Sequence, residues 1–247
     1  MDQTRFYDEA YSEADPAAAR GYGEWRALGA RTKADHVVAL LERGGVRPRR
    51  LVEIGCGTGS LLGELAARAV APALEGFDLS PAAIDIARGQ GLTGVRFRAF
   101  DGGRVPAEDG AYDVAVLSHV LEHVPDPGAL LPEAARLASW VVVEVPLEDN
   151  RSAARPAKRA EAARIGHIQF FDRSAVRALC AGAGLAVRAE LTDPLARAHQ
   201  SFGATGTRER ARAAVKAGVR RAAWRVSPRA AERAFTVHYA CLARSRS

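Results

Sequence analysis

The stretch LVEIGCGTGS, residues 51–60, decides the fold. Its first four residues read as a short apolar strand that enters a glycine cluster, and residues 60–70 read as the helix that follows. Glycine takes positive φ without a steric cost and lets backbone approach a ligand closely. The start of the next helix offers unpaired N–H groups and partial positive charge, which suits a carboxylate as well as a phosphate. A dinucleotide fingerprint needs glycine or alanine three residues after its second glycine. Here Ser60 holds that place, so the Gly55-x-Gly57-x-Gly59 form argues against a nicotinamide cofactor.

Outward from this loop the chain alternates. Residues 32–43 have helical periodicity and stop at Gly44-Gly45. Strands are predicted at 74–77, 95–100, 112–117, 140–145, 185–191 and 235–243. Helices are predicted at Ser80-Pro81 onward, where a hydroxyl caps and proline takes the first helical position, at 127–138, and from the Asp172 cap through Cys180. Strand and helix in turn imply a doubly wound, seven-stranded, mostly parallel α/β sheet. Residues 146–170 and 192–234 stand outside the alternation, and both belong near the carboxyl ends of the strands, where open α/β sheets bind ligands. The whole reads as one domain: a helical cap segment at 1–45, a core at 46–191, a basic helical insertion at 192–234, and a last strand with tail at 235–247.

Two acids end strands on the glycine-loop side. Asp78, in FDLS, sits where a carboxylate can accept hydrogen bonds from two ribose hydroxyls, and Asp101, in AFDGG, where one can accept from an adenine amino group. A turn aspartate before Gly102-Gly103 is the plainer reading of Asp101. Then comes YDVAVLSHVLEHVPDP, residues 112–127. In this order and spacing the four motifs resemble the class I S-adenosylmethionine (SAM)-dependent methyltransferases of the small-molecule branch, over roughly residues 35–190. The resemblance implies a Rossmann-like sheet with a reversed final hairpin. It implies that Gly55, Gly57 and Gly59 pass under the methionine part of SAM, that Glu53 orients their loop, and that Asp78 with Leu79 holds the ribose. Asp101 with Gly102 would meet the adenine, Ser118 and His119 the methionine end through backbone groups, and Tyr11, with Tyr7, would belong to an N-terminal aromatic segment closing over the cofactor.

The acceptor side is less determined. His167, in GHIQFFD, is the candidate catalytic base, because histidine changes charge near neutral pH. Phe170 and Phe171 could line the pocket or pack in the core. His119 and His123 are four apart, but no third ligand accompanies them at metal spacing, so no metal is expected. His123 reads as structural and His238 as packing. The three cysteines, Cys56, Cys180 and Cys241, are odd in number and far apart, which argues against disulfides or zinc ligation.

The formal charge of +6 is regional. Residues 195–247 hold twelve Lys and Arg against two acids; the rest holds twenty-three against twenty-seven. Only three of the basic residues are lysines, a bias that points to a GC-rich bacterial genome. Residues 207–235 read as two helices broken at Ser227-Pro228, with Arg212, Lys216 and Arg220 at i,i+4 spacing opposite Ala214 and Val215. Three readings stay open: a cap over the acceptor pocket, contact with an anionic membrane surface, or RNA binding. The last is disfavoured because no aromatic platform is interleaved with the arginines. No signal sequence or apolar span is evident, which suggests a cytoplasmic protein. The expected activity is methyl transfer to a small-molecule acceptor. RNA or protein as acceptor, and a non-catalytic SAM-binding module, are the alternatives.

Overall fold

The structure, a computed structural model, describes residues 16–194 and 206–245, with side chains from Leu28 onward. A long helix α1 (Pro16–Gly44) leads into β1 (Arg50–Ile54), α2 (Ser60–Ala67), β2 (Ala73–Asp78), α3 (Pro81–Gly89), β3 (Val95–Ala99) and β4 (Tyr112–Ser118). Then follow α4 (Pro127–Leu137), β5 (Ala138–Leu147), α5 (Pro156–Arg164), α6 (Arg173–Gly182) and β6 (Leu185–Pro194). Helices α7 (Thr207–Val226) and α8 (Pro228–Ala234) precede β7 (Val237–Ser245). The seven strands form one sheet in the order β3-β2-β1-β4-β5-β7-β6. β1 to β5 pair in parallel, while β7 runs antiparallel to both β5 and β6. The mostly parallel sheet with its reversed final hairpin is the architecture the sequence leads one to expect.

Why these strands lie inside is visible in their side chains. Successive strand residues point to opposite faces. Val52 and Ile54 of β1 join a core with Ala115 and Leu117 of β4, Leu131 and Leu137 of α4, and Val176 of α6. Leu51 of β1 and Val114 and Val116 of β4 face the other core, with Val37 and Leu40 of α1, Leu62 and Leu65 of α2, and Ile84 of α3. A parallel sheet covered on both faces needs such uninterrupted apolar runs, and each fully buried Leu, Val or Phe contributes about 1.5–3 kcal/mol. Gly76 in β2 lacks a side chain because Cys56 and Leu62 fill its place: a Cβ there would lie 2.7 Å from the Cys56 Sγ.

The helix caps form as read. The Ser80 hydroxyl accepts from Ala83 N at 3.2 Å with Pro81 next, and the Asp172 carboxylate accepts from Ala175 N at 2.7 Å. Two segments differ from expectation. The long connection after β5 contains helix α5, which the sequence hides because only Ala162 of it is buried, leaving no apolar stripe to read. In α7 the packed face is not the one opposite the arginines. Val215 and Val219 are more than 60% exposed, whereas Arg220 is drawn in over the Phe235 ring at 5.4 Å and Trp224 Nε1 donates to the Thr192 hydroxyl at 3.3 Å. An arginine stem covers apolar surface as a valine would, so tertiary contact overrode the helical pattern. Helix α8 is fastened more firmly. Arg173 at the start of α6 bridges Glu232 of α8 (2.5 Å) and Glu190 of β6 (2.8 Å), and Glu190 also accepts from the Tyr239 hydroxyl at 2.9 Å.

Candidate functional site

The strand order reverses between β1, whose chain continues to β2 on one side, and β4 on the other. In open α/β sheets the crevice at that switch point receives the ligand, and both the glycine loop and the Ser118-His119 turn open onto it. Gly55, Gly57 and Gly59 all adopt positive φ, of 80°, 52° and 80°. Gly55 N and Cys56 N both donate to the Phe77 carbonyl, at 2.7 and 3.0 Å, which turns the loop back over the end of β2. A Cβ on Gly59 would meet the Phe97 ring at 2.6 Å, and one on Gly55 would meet Val120 at 2.5 Å.

Asp78 lies at the end of β2 beside this loop. Its carboxylate accepts from Gly57 N at 2.6 Å and from Ser80 N at 3.0 Å. Two of its roughly four lone-pair positions are thus used within the fold, and two remain for a diol. Glu53, buried in β1, stands in register with Gly76 and Val116, one residue from the start of the loop. Leu79 packs on Gly102, where a Cβ would come within 2.6 Å of its Cδ2; this contact draws the turn after β3 up to the end of β2. Asp101 is exposed, and its Oδ1 accepts from Gly103 N at 3.0 Å, so the turn role is realised in the fold and the other oxygen faces outward. Tyr7 and Tyr11 lie outside the described residues.

On the other side of the crevice, imidazoles and carboxylates converge. The Ser118 hydroxyl donates to Glu144 Oε2 at 3.0 Å, and His119 N donates to the Glu144 carbonyl at 2.8 Å. The backbone N–H of His119 is therefore engaged in the fold, not open to a ligand. His119 holds φ of 57°, unusual for a residue other than glycine. Glu144 Oε1 lies 2.9 Å from His36 Nδ1 and 3.2 Å from His238 Nδ1. Burial opposes charge on Glu144, yet the hydrogen bonds from His238 and His36 hold its carboxyl well below the usual range. Burial likewise opposes charge on His36, but Asp193 and Glu144 on its two nitrogens push it up to about 9. His119, buried near Lys33 and His238, stays neutral, well below its ordinary value.

His167 is buried, and its Nδ1 lies 2.7 Å from Glu148 Oε2. Burial lowers its pKa, and the Glu148 contact, with Glu122 nearby, more than reverses that, so the imidazole sits above its ordinary value. His123 packs edge-on against His167, ring centroids 4.8 Å apart, and its Nδ1 donates to Gly166 O at 3.0 Å. Its burial lowers it to about 4. Together with Ile168 N and Gln169 N, which donate to Glu122 O, it pins the loop that carries His167. Phe171 is core, its carbonyl accepting from Glu148 N and Asp149 N, while Phe170 lies beneath the Arg159 guanidinium at 3.6 Å.

Sequence reasoning missed His36, Glu144 and Glu148, and took His238 for packing. One signal was legible. Glu144 interrupts an otherwise apolar strand buried on both faces, and an acid there is almost never buried without a partner.

A family model described as a methyltransferase domain matches residues 22–190. The ubiquinone biosynthesis O-methyltransferase of Bordetella avium is 36% identical over 110 residues, covering 40% of this chain and 43% of that protein. The trans-aconitate 2-methyltransferase of Rhodococcus jostii is 36% identical over 115 residues, 43% of this chain and 42% of that protein. The chain thus spans less than half the length of these two relatives. Among solved structures, a geranyl diphosphate methyltransferase in complex with SAM superposes with a TM-score of 0.61 at 18% identity, covering 87% of this chain and 84% of that one. The [4+2]-cyclase SpnF gives 0.60 at 20%, covering 87% and 81%. At such identities the likeness is one of fold.

Proposed function

The chain belongs to the methyltransferase-domain family of class I SAM-dependent enzymes, and from that premise we propose that it transfers a methyl group from SAM to a small-molecule acceptor oxygen. When bound, SAM supplies a methyl group already activated by its sulfonium. The chain has then to hold donor and acceptor in line, exclude water and receive a proton. The positive-φ glycine loop, the two spare lone-pair positions of Asp78 and the outward oxygen of Asp101 are a fitting set for an aminoacyl nucleoside. Glu53, Leu79 and Gly102 shape that side, and Ser118 and His119 flank the methionine end.

The observation that carries the reading of the acceptor side is the 2.7 Å contact between His167 Nδ1 and Glu148 Oε2. A carboxylate on Nδ1 fixes the ring and leaves Nε2 as the base, the logic of any oriented histidine. His167 is the residue proposed to take the acceptor's proton as the carbon–oxygen bond forms. An acidic acceptor hydroxyl suits a base of this strength, and the O-methyltransferase among the relatives supports an oxygen. The test is transfer of labelled methyl from SAM into fractionated extract, with Asp78→Ala as control. Label in the small-molecule fraction with wild type alone is the expected result. Label in RNA or protein would replace the acceptor class, and no label from a chain that binds SAM would favour a binding module.

A second reading concerns α7. Val215, Val219 and Val226 are its exposed large apolar residues, set among exposed Arg208, Arg212, Lys216 and Arg225, and no residue of this helix is buried. Such a face is suited to an anionic membrane surface. No described helix is long and apolar enough to cross one.

A further inference from the structure

Apart from Ser118 and His119, the buried cluster around Glu144 has no part in the reading above, and its donors are grouped as in a metal site. Glu144 is fully buried in β5. Three imidazole nitrogens from three separate elements surround its Oε1: His36 Nδ1 of α1 at 2.9 Å, His238 Nδ1 of β7 at 3.2 Å, and His119 Nε2, just past β4, at 3.9 Å. The donor atoms of His36, Glu144 and His238 all lie within 4.8 Å of one another. His119 Nε2 is buried and has no hydrogen-bond partner, a costly state for a polar atom. A tetrahedral ion with bonds of about 2.0–2.1 Å sets its ligands about 3.3 Å apart, and the three separations straddle that distance.

The outer contacts agree. Metal-bound histidines almost always turn their second nitrogen to a carboxylate or carbonyl, which fixes the ring. His36 Nε2 lies 3.5 Å from Asp193 Oδ2. Ser118 holds the second oxygen of Glu144. A second group of donors, Glu122, His123 and His167, is also compact. That group contains His167, the base proposed above, and His123, which pins its loop, so it belongs with the acceptor side.

We propose that His36, His238 and Glu144 bind one divalent transition-metal ion of the zinc class, with His119 as fourth ligand. Imidazole with a single carboxylate and no thiolate selects such ions over magnesium or calcium. Four protein ligands make a closed, structural site. The ion would staple α1, which bears the N-terminal segment, to β5, β7 and the turn after β4.

The full chain, stripped with a chelator, is titrated with zinc by calorimetry and with cobalt by visible absorption. The expected result is about one equivalent per chain with the intense absorption of tetrahedral cobalt. His238→Ala and Glu144→Gln should each abolish it, and Asp193→Asn should weaken it about 10- to 100-fold. His123→Ala should leave it unchanged. No binding to wild type, binding that survives His238→Ala, or loss with His123→Ala would each overturn the proposal. Should His238→Ala fail to fold, the melting point decides. Zinc should raise it for wild type and not for His36→Gln, and a wild type indifferent to zinc refutes the site. SAM affinity of the wild type, measured in parallel without zinc, tests the cofactor reading separately.

Discussion

The two sides of the crevice are built differently. On the β1–β2–β3 side, the site consists of backbone: three glycines at positive φ, a carboxylate bracing them, and a turn aspartate, all contributed by residues 51–102 through contacts close to strand ends. On the β4–β5–β7 side it consists of side chains drawn from the length of the described chain into two groups: His36, His119 and His238 around Glu144, and His167 on Glu148. The first side can serve any member of a fold that holds the same cofactor. The second is held together by side chains from distant parts of the chain, which neighbouring sequence does not specify.

That contrast can be broken most severely at His167. His167→Ala is expected to lower turnover about 10²- to 10⁴-fold, the usual range for a general base, with SAM affinity within about twofold in calorimetry. Equal turnover would remove the base from this side. On the opposite side, Asp78→Ala removes charge-assisted hydrogen bonds of about 1.5–3 kcal/mol each. SAM affinity should fall about 10- to 150-fold for each such bond, and an unchanged Kd would show that Asp78 serves only the loop.

Gly59→Ala sharpens the backbone half. Its φ of 80° and the Phe97 ring at 2.6 Å from the added Cβ should together cost about 2–3 kcal/mol in denaturant unfolding. A cost below about 0.5 kcal/mol would mean the loop re-forms without the left-handed residue.

The pH dependence reports the other half. As the proposed base, His167 acts when neutral; burial lowers its pKa, and Glu148 with Glu122 more than offsets that, holding it above the ordinary 6.5. kcat/KM should therefore rise with pH along an acid limb above 6.5, and Glu148→Gln should move that limb to lower pH. An unmoved limb would assign it to another group. The stability of this pair has the complementary sign. A raised folded pKa stabilises fully below the unfolded value and is lost as pH rises through the folded one. The smallest effect is expected on α7: neutralising Arg212 and Lys216 should weaken binding to phosphatidylglycerol vesicles by about 1 kcal/mol per residue. Binding that is equal on neutral vesicles would leave the helix as a solvated flank.

Legibility followed the same division. The seven strands, the caps at Ser80 and Asp172 and the glycine loop were all readable, since each rests on residues within a few positions of one another. Asp101 illustrates a half-legible site: the turn it makes and the outward oxygen share one side chain. Helix α5 escaped because nearly all of it faces solvent. Val215 and Arg220 exchanged their expected faces because Thr192 of β6 meets Trp224 and Phe235, between α8 and β7, meets Arg220, contacts no helical wheel contains.

The sequence by itself determined the fold class, the switch point and the glycine loop, because periodicity and glycine placement constrain the backbone locally. The partners of Glu144, the pairing of His167 with Glu148, and the face that α7 turns inward were decided only by the tertiary structure. Residues 108 and 94 positions from Glu144 share one of its oxygens. Burying that acid is unfavourable unless cationic or hydrogen-bonding groups arrive with it, and which groups arrive depends on how the sheet closes.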